Sequence, residues 1–93
     1  MNFLVAIHKD PDSDYGVSVP DLPGCISAGS TFAEALTMVK EAIELHLESM
    51  LEDGQDIPDP TTDIEKLRSE PDYRDAIWAV VTVNLNWKAP AVA

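Results

Sequence analysis

The run from Thr31 to Gly54 constrains this chain more than any other stretch. Thr31 and Glu34 have capping-box spacing, in which a hydroxyl and a carboxylate satisfy two helix-start N–H groups. Phe32, Ala35, Leu36, Val39, Ile43, Leu47, Met50 and Leu51 then recur at helical spacing and form one apolar stripe. Glu41, Glu44, Glu48 and Glu52 occupy much of the other side. Gly54 suits the left-handed geometry that ends a helix, and Ile57-Pro58-Asp59-Pro60 forces extended backbone beyond it. The spacing predicts a long amphipathic helix with one face to bury.

The other segments read as strands. Phe3, Val5 and Ile7 alternate with Leu4, Ala6 and His8, a strand with apolar residues on both faces. Lys9 to Asp14 is a turn; Tyr15, Val17 and Val19 share one face of a second strand, which Pro20 closes. Asp21-Leu22-Pro23-Gly24 is a tight turn and Cys25 to Ala28 a short third strand. A second, short helix is expected over Thr62 to Ser69, capped by Thr62 with Glu65. Ala76 to Leu85 is the longest apolar strand, and its β-branched density is that of a central strand buried on both faces.

The expected fold is α+β, in the order β-β-β-α-(short α)-β, with one long helix packed on one face of the sheet. The long helix is read as a crossover bringing the last strand in parallel beside the first. Leu4, Ala6, Trp78 and Val80 then point to the face the helix does not cover. An apolar patch of that kind needs a cover, so that face, or an edge, is expected to be buried by another chain, with those four residues at the interface.

Ninety-three residues make one domain, here residues 1–85, followed by a tail, 86–93. No run of 18 apolar residues and no basic segment leading an apolar stretch is visible, which predicts a soluble cytoplasmic protein without membrane contact. Cys25 is the single cysteine, so no internal disulfide and no cysteine-based zinc cluster can form.

Six basic residues against seventeen acidic ones give a net charge of −11. Phosphate backbones repel such a chain, so nucleic-acid binding by these residues is not expected. A basic protein partner would be attracted, although the acids could equally serve solubility alone. Chosen from charge and expected exposure, the candidate contacts are Asp10, Asp12, Asp14, Tyr15 and Asp21, with Glu41, Glu44 and Glu48.

Catalytic readings are poor. Asp10, Asp12, Asp14 and Asp21 fall at calcium-loop positions, but Tyr15 stands where the loop needs Gly, and the last ligand is Asp in place of a bidentate Glu. A β-β-β-α-β order also begins an RNase H-like fold, whose nucleases gather carboxylates on the sheet around two metal ions. Phe3 to His8 and Ala76 to Leu85 contain no acid, so a metal-dependent nuclease is the lesser alternative. His8 and His46 are isolated, Cys25 reads as a small buried thiol, and Trp78 and Trp87 read as core or interface anchors. No catalytic, metal or cofactor residue is expected.

Asp21-Leu22-Pro23-Gly24-Cys25, with Tyr15-Gly16-Val17 before it and Ala28-Gly29-Ser30-Thr31 and Glu34-Ala35-Leu36 after it, resembles the N-terminal domain of HicB-type antitoxins. Glu41 to Leu47, Glu52-Asp53-Gly54, Asp63 to Leu67 and Trp78 to Val81 extend the likeness over nearly the whole chain. The resemblance implies a partial RNase H-like domain without enzymatic activity that assembles as a homo-oligomer, dimer or tetramer. It also implies a partner: a small basic ribonuclease toxin, HicA-like, with a double-stranded-RNA-binding-like fold, whose active site the antitoxin covers. The alternative within the same fold is a stand-alone oligomeric scaffold with no toxin. Members of the family usually continue into a DNA-binding module, which these residues lack, so operator binding is not expected of them.

Overall fold

The computed structural model describes residues 1–85. Four strands form one antiparallel sheet in the order β3-β2-β1-β4: β1 Asn2–Lys9, β2 Tyr15–Ser18, β3 Ile26–Gly29 and β4 Ile77–Thr82. The helix α1, Phe32–Glu52, lies across one face; a short helix α2, Ile64–Arg68, and a 3₁₀ turn, Pro71–Tyr73, fill the connection to β4. The expected α+β fold with one long helix is what the chain adopts.

The core sits between α1 and the sheet. Ala35, Val39, Ile43 and Leu47, each one turn after the last, are buried against Phe3, Val5 and Ile7 of β1 and Val17 of β2, with Val19, Leu22, Val81 and Val83 around them. Thr31 caps α1 as expected, its hydroxyl accepting from the Glu34 N–H at 3.0 Å. The reciprocal bond differs: the Glu34 carboxylate reaches back to the N–H and hydroxyl of Ser30, one residue before the cap. Gly54 ends the helix at φ +74, a left-handed angle that glycine adopts without strain. At the other end Gly29 allows β3 and the first turn of α1 to approach closely: a Cβ there would lie 2.4 Å from the Ala35 nitrogen.

Three expectations about the C-terminal half are corrected. β4 lies beside β1, as foreseen, but antiparallel, with Ile7 opposite Ile77 and Asn2 opposite Thr82. The reason lies in the connection. α1 starts near the Lys9 end of β1, where Phe32 meets Tyr15, and runs toward the Met1 end. Thr61 is fastened there to Asp21, so α2 and the 3₁₀ turn must carry the chain back before Ile77 pairs with Ile7. A helix alone would have delivered a parallel strand; the return segment reverses it. β4 is also an edge strand, not a central one, and Ile77 and Val80 remain 49% and 60% exposed. The cap of α2 shifts by one residue as well: Asp63, not Thr62, accepts from the Lys66 N–H.

The same return segment partly covers the second face of the sheet. Tyr73 lies edge-on to Trp78 with ring centroids 5.4 Å apart, and Ala6, the cross-strand partner of Trp78, has no accessible surface. Val80 and, on β3, Ile26 at 72% exposure stay open on that face. No helix among the described residues is long and apolar enough to cross a membrane.

Candidate partner-binding site

Glu41, Glu44 and Glu48 follow one another at three- and four-residue spacing, so α1 presents them along a single flank. With Leu45 and with Asn84, just beyond β4, they line an open groove of about 380 Å³ at the Met1 end of the sheet. Glu44 and Glu48 are half-buried against the groove wall, Glu41 is exposed, and Leu45 is 67% exposed. Among the described residues the one ion pair is Arg68 with Glu65, at 3.1 Å, so these carboxylates pair with no described cation. The groove combines uncompensated negative charge with an apolar side chain in reach, a surface suited to a basic protein contact.

The other expected contacts do not join it. Asp10, Asp12 and Asp14 are exposed in the β1–β2 loop at the Lys9 end, separated from the Met1 end by the eight residues of β1, roughly 24 Å. Their loop is tied internally. Lys9 Nζ donates to the carbonyls of Asp10 and Ser13 at 3.0 and 2.8 Å, and Ser13 Oγ accepts from the Asp10 N–H at 3.1 Å. A lysine charge therefore sits inside this acidic turn. Tyr15 is half-buried, its ring edge-on to Phe32 at 5.9 Å and 5.5 Å from Lys9 Nζ, so most of it serves to pack the hairpin on α1.

Asp21 has a structural task. Its carboxylate accepts from the Thr61 N–H at 2.7 Å and the Thr61 hydroxyl at 2.5 Å, clasping the return segment to the β2–β3 turn. Of the four residues expected at an oligomer interface, Val80 is exposed, Leu4 and Trp78 are half-buried, and Ala6 is fully buried within its own chain and offers no contact surface. Sequence reasoning missed Leu45 and Asn84. The first left a signal, a leucine off the apolar stripe between two glutamates; the second depends on where β4 ends.

Nothing in the described residues gathers a reactive centre. No three His, Cys, Asp or Glu side chains come together in a way that could hold a metal ion among them, and neither β1 nor β4 carries an acid. Cys25 is buried, and burial pushes its thiol above the ordinary cysteine range, so at neutral pH it stays protonated and unreactive. Trp87 and the rest of the expected tail, 86–93, lie outside the described residues.

The family described as HicB-like antitoxin of bacterial toxin-antitoxin systems matches residues 3–91. The chain belongs to the HicB-like antitoxin family. Among solved structures, it superimposes on the Burkholderia pseudomallei antitoxin HicB with a TM-score of 0.84 and 40% identity, covering 100% of this chain and 73% of that one. A chain of a HicA3 and HicB3 toxin-antitoxin complex gives a TM-score of 0.74 at 27% identity, covering 90% of this chain and 99% of that one. An uncharacterised 14.9 kDa protein of Haemophilus phage HP1 is 47% identical over 85 residues, 91% of this chain. This HicB-like chain spans 62% of that phage relative's length.

Proposed function

We propose that this HicB-like chain is a non-enzymatic antitoxin domain that binds and inhibits a small basic ribonuclease toxin. Family membership supports the antitoxin role, and the similar HicA3 and HicB3 complex supports a toxin as partner. The observation that carries the site is the groove of Glu41, Glu44 and Glu48 around exposed Leu45, with no cation among the described residues paired to it. Three carboxylates on one flank steer a basic surface inward, and Leu45 supplies apolar area to hold it once docked. Asp10, Asp12 and Asp14 add long-range attraction from the far end of the sheet, offset in part by Lys9. Residues 1–85 constitute the toxin-neutralising domain, and the protein acts in the cytoplasm, where a ribonuclease would meet its RNA.

The test is co-expression of the tagged chain with its neighbouring genes, followed by native mass spectrometry. A small basic partner at fixed stoichiometry, whose RNA cleavage stops on binding, is the expected result. Recovery of the chain without a partner, or unchanged low-salt affinity after replacing all three glutamates by glutamine, defeats the proposal.

A further inference from the structure

The buried stripe of α1 is one of two rows that the helix carries. Val39, Ile43 and Leu47 face the sheet, while Met38, Glu41, Leu45, Glu48 and Glu52 follow one another at alternating three- and four-residue steps along a second line. Met38 and Leu45, seven residues apart, are the large apolar side chains that α1 exposes beyond its first turn, at 42% and 67%. The acids stand between and after them, and Leu45 opens on the groove of about 380 Å³. Lys40, two residues past Met38, projects to the other side of the helix. Apolar contacts two turns apart with charged side chains alternating between them make half of a helix–helix seam.

What fits that half follows from backbone and charge. Past its first turn a helix bonds its N–H groups within itself, so an extended segment laid along α1 would find no backbone partner there. A helix arrives with its own backbone bonds made and asks only for side chains from its neighbour. Glu41, Glu48 and Glu52 pair with no described cation, so whatever packs between Met38 and Leu45 meets carboxylates, and lysine or arginine suits that position. The same row turns away a second copy of this chain, because α1 against α1 would set glutamates against glutamates.

We infer that α1 receives a basic amphipathic helix of the partner protein, lying lengthwise along the row from Met38 to Glu52. Its apolar residues rest on Met38 and Leu45, and its lysines or arginines meet Glu41, Glu48 and Glu52. The inference rests on the toxin-binding reading of this flank and names the element of the toxin that fills it. The geometry carries a number that separates a helix from any other occupant. Met38 and Leu45 lie about 10.5 Å apart along the helix axis, which a partner helix answers with residues about seven apart and a strand with residues about three apart. A shallow crossing angle keeps both contacts in one seam, and the unbranched Met38 side chain adapts to whichever apolar residue it meets.

The deciding experiment uses the full chain co-purified with its partner, with a photo-crosslinking amino acid replacing Met38 in one preparation and Leu45 in another. Mass spectrometry of the cross-linked peptides reads where each position lands on the partner. The expected result is two landing points about seven residues apart in one lysine- or arginine-rich segment. Landing points about three residues apart, landing points in unconnected segments, or no cross-link from a partner that stays bound overturn the helix and leave the toxin reading standing. Recovery of no partner overturns both. Met38→Asp and Leu45→Asp alter exposed side chains, so the melting profile should hold while affinity for the partner falls at least about tenfold in each. Unchanged affinity in both variants refutes the inference, even where replacing the three groove glutamates by glutamine weakens binding.

Discussion

Replacing Gly29 by alanine should destabilise this domain more than any other single methyl addition at its glycines. The new Cβ would lie 2.4 Å from the Ala35 nitrogen, 2.7 Å from its Cα and 2.8 Å from the Glu34 carbonyl carbon. All three are backbone atoms in the first turn of α1, so no side chain can swing aside. Restoring ordinary contact means moving the strand and helix apart by about 1 Å. A gap of that size forfeits a quarter to a half of the dispersion energy of the atoms it separates, here beneath Ala35 and Val39. Overpacking of this kind costs about 1–3 kcal/mol, and rigid backbone on both sides places Gly29 at the upper end. Stiffening the unfolded chain returns about 0.4–1 kcal/mol, leaving a net loss of about 2–2.5 kcal/mol. A domain of this size has only about 5–14 kcal/mol to lose, and Tm should fall by roughly 10–20 °C. Circular dichroism melts of Gly29→Ala, Gly24→Ala and Gly54→Ala test the cause. Gly24 and Gly54 have nothing within 4 Å but positive φ of +86 and +74, so they should lose only about 1 kcal/mol each through backbone strain. A Gly29→Ala melt within about 4 °C of the parent, or no lower than the other two, refutes the crowding argument.

Neutralising the groove with Glu41→Gln, Glu44→Gln and Glu48→Gln together should slow toxin association roughly tenfold at low salt, with the difference shrinking near 0.5 M salt; surface plasmon resonance reads both. Asp21→Ala unfastens Thr61 and leaves its partly buried N–H unpaired, so urea denaturation should show a loss of about 2–3 kcal/mol, whereas Asp12→Ala should leave stability unchanged. Thr31→Ala should lower stability by about 1 kcal/mol through loss of the α1 cap, measured the same way. Burial raises the thiol of Cys25, and burial with nearby Glu70 and Asp72 raises the hydroxyl of Tyr73. The folded state therefore holds these protons longer than the unfolded one, and stability should fall as pH rises above about 8.5; a rising stability between pH 8.5 and 10 contradicts that sign.

α1 was legible because every local signal agreed: cap, apolar stripe and terminal glycine each mark the helix that forms. The first three strands were legible for a similar reason, short turns between alternating segments leaving antiparallel pairing as the economical choice. The direction of β4 was not. It depends on where the chain stands after Gly54, and that is fixed by a contact across 40 residues, Asp21 with Thr61, which has no periodic signature. The same carboxylate explains why charge was a poor guide to the site. Asp21 looked as available as Asp12, yet one holds the fold and the other points to solvent.

The misreading of β4 as central has more content than an error of direction. Composition reports the environment a segment is suited to, and Ala76 to Leu85 is suited to burial on both faces. Among the described residues only the α1 side and the Tyr73 side are partly supplied, and the outer edge is not. Among the described residues, composition and position therefore conflict at this single strand while they agree at the other three. Charge follows the opposite division: acids gather on the α1 flank and in the loops, and β4, suited to burial, carries none.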